Sequence, residues 1–226
     1  MDAIIISDLH LGSSVCQTAA LLDLLQNIHS GKLVSEKLIL NGDVFDSWDF
    51  RRLKKKHWKI LSIIRRLSDR MEIIWINGNH DGPAEIISHL LGVCVKDQEI
   101  IESGNKKIMI LHGDKFDDFI AEYPVTTFFA DCIYRFMQII DSSFWMARTA
   151  KRTSKTFLKC VERVKQGAIE YALKNNCSAV CVGHTHHAES IWSKDVQYLN
   201  CGCWTELPAN YVTVENGVLE IKEVMG

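Results

Sequence analysis

The chain has few of the features that mark an unusual protein class. Its 226 residues include only three prolines, no low-complexity tract and no internal repeat, which excludes proline-rich and repeat architectures. No apolar run approaches the ~18–20 residues that a membrane-spanning helix needs, and no basic, apolar leader follows Met1-Asp2. We therefore expect a single domain that resides in the cytoplasm.

Neither sign of charge predominates in the chain. The 26 basic and 28 acidic side chains leave a formal net charge of −2, which argues against nucleic-acid binding through bulk charge. The eight cysteines form no C-x-x-C pair, and several lie in apolar runs, as Cys181 does. This usage is typical of reduced core cysteines in a cytosolic protein, and Cys201-Gly-Cys203 is the one close pair.

Short β-branched runs alternate with segments of helical period. Strands are predicted at residues 3–7, 37–41, 72–77, 107–112 and 179–183, and helices at 18–28 and 58–67. This alternation indicates an α/β fold in which helices cover a buried sheet. A closing run of antiparallel strands is predicted at 189–192, 196–199, 211–214 and 218–221, with Asn216-Gly217 as a hairpin turn.

Residues from about 116 to 170 break the alternation, as a long helical insert within one domain of residues 1–226. Aromatic residues concentrate at 123–145, and basic residues at helical spacing follow. Two interpretations stay open: a helical hairpin packed on the domain, or a cap that takes acyl chains in an apolar groove and meets phosphates or an anionic membrane surface with a basic stripe. The cap would bind substrate through Phe128, Phe136, Arg148, Arg152, Lys155 and Lys159.

Polar side chains follow each of the five early strands. Ligands of open α/β sheets bind beyond the carboxyl ends of the strands, so these side chains should converge on one cleft. The potential metal donors among them are Asp8, His10, Asp43, Asn79, His112, His184 and His186. Mixed oxygen and imidazole donors suit Mn²⁺, Fe or Zn²⁺ and lack the thiolates of a structural zinc site. Seven donors suit two ions that share a carboxylate, an arrangement that activates a bridging water for attack on phosphorus.

The motifs D-x-H, G-D-x-x-D, G-N-H-D, H-G-D and G-H-x-H, in this order, resemble those of the calcineurin-like metallophosphoesterase superfamily. The resemblance implies a β-sandwich flanked by helices, in four α/β/β/α layers, with a dinuclear metal site at the strand ends. It also implies which donors bind each ion. The first ion would be held by Asp8, His10 and His186, and the second by Asn79, His112 and His184, with Asp43 bridging the two.

The same resemblance implies that His80 is the general acid for the leaving oxygen and that Asp46 orients it. Adjacent side chains that leave a strand point in opposite directions, so Asn79 and His80 cannot easily serve the same ion. An imidazolium beside two dications needs a compensating carboxylate, and Asp46 could supply it. Such a pair suits protonation of a leaving alkoxide or phosphate. Asp81 is expected to be a turn or helix-capping residue.

A closer resemblance covers most of the chain. The segments GDVFDSW, GNHD, HGDKFD, VGHTHHAE and YLNCGCW are similar to the branch that contains UDP-2,3-diacylglucosamine pyrophosphohydrolase. That branch implies a role in lipid A biosynthesis, a lipid-linked nucleotide sugar as substrate, and peripheral contact with the inner face of the membrane. The chain departs from it in two places: the best-known members carry Arg in place of His80, and many relatives carry Asp in place of Cys203.

Two other functions stay open. One is a phosphodiesterase or phosphatase that acts on soluble nucleotides or on nucleic acid, although nucleic acid would favour an open basic groove over an aromatic hairpin. The other is a non-catalytic scaffold on the same fold, which would be expected to lack ligands or His80, all of which are present. For the enzyme, we expect two divalent cations as cofactors, with Mn²⁺ preferred over Fe or Zn²⁺.

Overall fold

The computed structural model describes residues 1–83, 86, 89, 91–117 and 154–225, which form two β-sheets flanked by helices. The strands are β1 Ala3–Ile6, β2 Lys37–Asn41, β3 Glu72–Ile76, β4 Cys94–Lys96, β5 Gln98–Ser103, β6 Lys106–Leu111, β7 Ala179–Val182, β8 Glu189–Ser193, β9 Val196–Asn200, β10 Ala209–Glu215 and β11 Val218–Val224. The α-helices are α1 Thr18–His29, α2 Lys55–Leu67 and α3 Lys155–Lys174, and 3₁₀ turns occur at Phe50–Arg52 and Asp114–Phe116.

The two sheets have different strand orders but a similar parallel centre. The first sheet runs β11-β10-β1-β2-β3-β4, with β1 to β4 parallel, β10 antiparallel to β1 and β11 antiparallel to β10. The second runs β5-β6-β7-β9-β8, with β6, β7 and β9 parallel. Because β1, β2 and β3 are parallel, their carboxyl ends meet at one edge of the first sheet. The ends of β6 and β7 meet in the same way in the second.

Strand β1 shows how the layers are held together. All four of its side chains are buried, and alternate ones face opposite ways. Ala3 and Ile5 belong to the core between the sheets, whereas Ile4 and Ile6 pack with α1 and α2 on the outer face. Burying one such isoleucine contributes about 1.5–3 kcal/mol, which explains why the strand reads as an uninterrupted apolar run.

Helix α3 covers the outer face of the second sheet. It begins where the Ser154 hydroxyl accepts a hydrogen bond from the Phe157 N–H at 3.3 Å. Ala168, Ile169 and Ala172 then pack against that sheet. The layers are therefore helices α1 and α2, first sheet, second sheet and helix α3. This order confirms the expected four-layer α/β/β/α sandwich.

The structure differs from the sequence predictions mainly where the apolar pattern of the sequence is weak. The predicted strands omit β4 and β5. In β5, Ile101 is the one buried apolar side chain, Ile100 is exposed, and glutamates flank the pair. Helix α2 begins at Lys55, three residues before the predicted start, since its exposed lysines add nothing to the apolar period. Within the predicted insert, residues 155–170 belong to α3. Residues 118–153 lie outside the described residues, so the cap stays a prediction.

None of the helices among the described residues is long and apolar enough to cross a membrane.

Candidate metal centre

The two sheets meet at the carboxyl ends of their parallel strands. The Asp8 N–H donates to the Gly42 carbonyl at 3.0 Å, which joins the ends of β1 and β2. The Gly183 N–H donates to the His112 carbonyl at 2.9 Å, and the His184 N–H reaches Asp8 Oδ2 at 3.1 Å. These bonds bring the strand ends of both sheets to one site, as the positions of the motifs predict.

The backbone of the site is turned into an uncommon conformation. Five of the seven candidate ligands have a positive φ: Asp8 at 56°, His10 at 47°, Asp43 at 51°, His184 at 63° and His186 at 53°. A residue other than glycine in this region costs on the order of 1–3 kcal/mol, and such residues cluster where structure serves a site. The strain therefore sits where the chain directs its side chains at a common point.

Glycines leave room for the ligands. A Cβ atom on Gly42 would lie 2.3 Å from His112 Nδ1, and one on Gly183 would lie 1.9 Å from Ser7 Oγ and 2.4 Å from Asp8 Oδ2. No side chain fits at either position without displacing a candidate ligand.

The first group of donors consists of Asp8, His10 and His186, whose ligand atoms all lie within 4.8 Å of one another. His186 Nε2 lies 3.1 Å from Asp8 Oδ1 and 3.1 Å from His10 Nε2. The second carboxylate oxygen of Asp8 accepts a hydrogen bond from Ser7 Oγ at 2.5 Å, which fixes the first towards the site. Two imidazole nitrogens and a carboxylate oxygen thus converge on one point, as cation ligands do.

The second group consists of Asp43, His112 and His184, again with ligand atoms within 4.8 Å of one another. Asn79 adjoins it, since its Oδ1 atom lies 3.1 Å from His184 Nδ1. His112 Nε2 is buried and has no hydrogen-bond partner in the part of the chain that the structure describes. A buried nitrogen without a partner is costly unless a cation occupies its lone pair.

Asp43 lies between the two groups. Its Oδ2 atom is 3.4 Å from His112 Nε2 and 3.8 Å from His10 Nε2. Its Oδ1 atom accepts a hydrogen bond from the His80 N–H at 2.9 Å. One oxygen can therefore reach both groups, which is the geometry that a bridging carboxylate needs; the bridging role itself stays a prediction.

The electrostatics of the site favour added positive charge. Burial lowers the pKa of His112, but the Asp43 carboxylate outweighs it and raises that pKa to about 10. Burial also lowers the pKa of His186, but Cys203 and Asp8 raise it to about 10. The pKa of Asp43 is well below its usual value, because His112 and the other imidazoles outweigh the effect of burial. Carboxylates that draw protons onto their neighbours would also draw divalent cations.

Three ring nitrogens that are turned away from the site each face an oxygen atom. His10 Nδ1 lies 3.4 Å from Asp46 Oδ1, His112 Nδ1 3.0 Å from the Asn41 carbonyl, and His184 Nε2 3.0 Å from Asp117 Oδ2. Such partners orient metal-binding imidazoles and select their tautomer. Carboxylates, a carboxamide and oriented imidazoles together fit two divalent cations of the Mn²⁺, Fe or Zn²⁺ type.

His80 lies at the mouth of the site, with 37% of its side chain exposed. The expected contact with Asp46 is present, but it is made by the main chain: His80 Nδ1 is 3.2 Å from the Asp46 carbonyl oxygen. The Asp46 carboxylate lies instead against His10 and the Arg52 guanidinium. The pairing of the Asp46 carboxylate with His80 stays a prediction.

Asp81 organises the turn that presents Asn79 and His80. It is fully buried and accepts hydrogen bonds from the Phe45 N–H at 2.9 Å, from Trp75 Nε1 at 3.2 Å and from the Gly78 N–H at 3.0 Å. The turn-forming role expected of it is the one observed.

Sequence reasoning missed Asp117 and Cys203. Asp117 ends the quoted motif HGDKFD, so its place beside His112 was visible in the sequence, but its contact with His184 required the fold. Cys203 lies against His186 through a side-chain hydrogen bond. The predicted substrate residues Phe128, Phe136, Arg148 and Arg152 lie outside the described residues. Lys155 and Lys159 are exposed in the first turns of α3.

Comparisons with known proteins agree with this fold. A family model described as calcineurin-like phosphoesterase matches residues 1–188, whereas no curated protein sequence matches the chain. Three solved structures are similar, each at 16% identity: YfcE, a phosphoesterase from E. coli (TM-score 0.53; 97% of this chain and 91% of that one), a single mutant of Vps29 from Entamoeba histolytica (0.52; 100% and 99%), and an archaeal phosphodiesterase (0.52; 99% and 99%).

At this identity the structural likeness shows the fold alone. The family match goes further, because it spans most of the chain and includes all seven candidate ligands. The chain therefore belongs to the calcineurin-like phosphoesterase family and is a metal-dependent phosphoesterase.

Proposed function

We propose that the protein hydrolyses the pyrophosphate of a lipid-linked nucleotide sugar, in the manner of UDP-2,3-diacylglucosamine pyrophosphohydrolase, with two divalent cations, preferably Mn²⁺. The observation that carries the two-cation part is the position of Asp43 Oδ2, 3.4 Å from His112 Nε2 in one group and 3.8 Å from His10 Nε2 in the other. The lipid-linked part is supported by the branch motifs and by the aromatic residues at 123–145.

Each cation would have its own set of ligands. One would be held by Asp8, His10 and His186, the other by Asn79, His112 and His184, and Asp43 would contact both. When bound, such a pair of cations neutralises phosphoryl oxygens and activates water for in-line attack. The protein contributes the fixed positions of these donors, which the left-handed backbone and the neighbouring glycines maintain.

His80 would carry the proton to the leaving oxygen through Nε2. The Asp46 carbonyl can only accept a hydrogen bond, so it holds a proton on Nδ1 and leaves Nε2 as the nitrogen that gains or loses one. Nε2 lies 3.9 Å from Asp43 Oδ2 and therefore faces the candidate metal centre. The partial exposure of His80 would let a leaving group reach it.

The segment that follows Asp46 in the chain is basic and partly aromatic. Arg52 contacts Asp46 beside the candidate ligand His10. Trp48 is 71% exposed and Trp58 is 45% exposed. The basic residues around Trp58 are exposed, and none forms an ion pair with a carboxylate among the described residues: Lys54, Lys55, Lys56 and Lys59. Cations beside exposed tryptophans suit an anionic, amphipathic partner such as a phospholipid-like substrate or a membrane surface.

A substrate panel tests the proposal. The chain loaded with Mn²⁺ is assayed on UDP-2,3-diacylglucosamine, on UDP-glucose and on a small nitrophenyl phosphodiester and monoester. Four buried methylenes of an acyl chain at ~0.8 kcal/mol each would favour the acylated substrate by more than about a hundredfold in kcat/KM. Equal or faster turnover of the soluble nucleotide would replace the proposal with the soluble-nucleotide phosphodiesterase or phosphatase.

A further inference from the structure

Asp117 is a buried carboxylate that touches the candidate metal centre from outside. It follows the 3₁₀ turn Asp114–Phe116 at the end of β6, and its side chain is 4% exposed. Its Oδ2 atom lies 3.0 Å from His184 Nε2. The same oxygen accepts a hydrogen bond from the Cys160 thiol of α3 at 3.1 Å.

The contact determines which nitrogen of His184 carries hydrogen. An ionised carboxylate can only accept, so the hydrogen must lie on Nε2 and the lone pair of the neutral ring must lie on Nδ1. Nδ1 in turn is 3.1 Å from Asn79 Oδ1, which also offers lone pairs. Two acceptors at this distance repel each other unless a cation lies between or beside them.

We infer that Asp117 is a positioning residue: it fixes the tautomer and the ring orientation of His184 and thereby sets the affinity of the second cation position. The inference rests on the proposed two-cation function and deepens it. Partners of this kind contribute about 10–100-fold to metal affinity, because a misaligned or wrongly protonated imidazole offers no lone pair to the ion.

At the first cation position, too, a carboxylate lies behind one of the candidate histidine ligands. His10 Nδ1 lies 3.4 Å from the Asp46 carboxylate, as His184 Nε2 lies near Asp117. Each proposed ion therefore has one histidine backed by a carboxylate. The two carboxylates come from different sheets, so they can be altered separately.

Helix α3 packs against the 3₁₀ turn that precedes Asp117. Besides the Cys160 contact, the helix approaches the 3₁₀ turn closely at Gly167, where a Cβ atom would lie 2.7 Å from Phe116 Cδ1. The carboxylate thus sits on a packed element rather than on a freely moving loop, as an orienting group requires.

Titration of the chelator-treated full chain with Mn²⁺ by calorimetry tests the inference. In Asp117→Ala, we expect one of the two ions to bind about 10–100-fold more weakly and the other to change less than about threefold. Asp117→Asn should lose less, since an amide oxygen still accepts from Nε2–H. Cys160→Ala is the matched control, because it removes the other partner of the same oxygen, and it should bind both ions within about threefold of wild type.

A readout without metal keeps the inference testable should Asp117→Ala fold poorly. Long-range ¹⁵N–¹H spectra of the metal-free wild type should show His184 as the Nε2–H tautomer, and Asp117→Asn should retain that tautomer more than Asp117→Ala does. An Nδ1–H tautomer in wild type would overturn the inference, as would unchanged affinities in Asp117→Ala or an equal loss at both ions that follows a fall in melting temperature. A wild type that binds fewer than two ions would instead overturn the proposed function.

Discussion

Replacing Asp81 with Asn should destabilise the fold and disturb one edge of the metal centre. Three N–H groups donate to this one carboxylate: Trp75 Nε1 and the Gly78 N–H to Oδ2, and the Phe45 N–H to Oδ1. An amide offers one oxygen, so its NH₂ group must face at least one of these donors. A buried donor without an acceptor costs about 1–3 kcal/mol. Losing the negative charge adds little to this cost, because burial and the nearby Asp43 raise the pKa of Asp81 to about 7.

We therefore expect Asp81→Asn to lower the free energy of unfolding by about 1–3 kcal/mol. For a chain of this size each kcal/mol lowers the melting temperature by about 2–4 °C. Urea unfolding in the presence of a chelator measures the effect on the fold alone. The control is Asp69→Asn, an exposed carboxylate whose ion pair with Arg65 contributes at most about 1 kcal/mol. A loss in Asp81→Asn no larger than in Asp69→Asn would refute the reasoning.

Three further predictions concern the chemistry. Asn79→Ala should weaken the binding of one of the two metal ions, as measured by calorimetry. His80→Ala should bind both ions but lose about 10²–10⁴-fold in kcat on an unactivated substrate. The candidate ligands His112 and His186, each with a pKa of about 10, hold protons that a cation must displace. The affinity for Mn²⁺ should therefore rise about tenfold per pH unit for each displaced proton between pH 7 and 10. Replacing Phe128 and Phe136 with Ala should impair an acylated substrate far more than a small phosphodiester.

Each of these predictions has an outcome that contradicts it. A metal site emptied by His80→Ala would make that residue a ligand. Mn²⁺ affinity that is flat with pH, or calorimetry in several buffers that detects no released protons, would show that the histidines are already neutral. Equal losses on long and short substrates in the phenylalanine variant would mean that residues 123–145 support the fold rather than bind acyl chains.

Sequence patterns predicted those strands that are apolar along their length and are followed directly by candidate metal ligands. Strand β1 is apolar because both of its faces are buried, and Asp8 and His10 follow it because the strand ends at the site. The same logic located β2, β3, β6 and β7. It failed for β5, in which Ile101 is the one buried apolar side chain and the remaining side chains are polar or, as Ile100 is, exposed.

Within the site, residue types were predictable but contacts were not. The motifs identify Asp46 and His80 as neighbours of the candidate ligands, yet they cannot show that the main-chain carbonyl of Asp46 contacts His80. Nor can they show that Asp117 backs His184, since that contact joins the strand ends of β6 and β7. Such details depend on side-chain direction at turns, which spacing along the chain does not encode.

The central claim is that one carboxylate, Asp43, binds two cations. A crystal structure of the Mn²⁺-loaded protein, measured at a wavelength where manganese scatters anomalously, tests it most directly. We predict two anomalous peaks ~3.5–4 Å apart, one beside Asp8, His10 and His186 and the other beside Asn79, His112 and His184, with an oxygen of Asp43 in contact with both. A single peak, or two peaks that share no Asp43 oxygen, would contradict the claim.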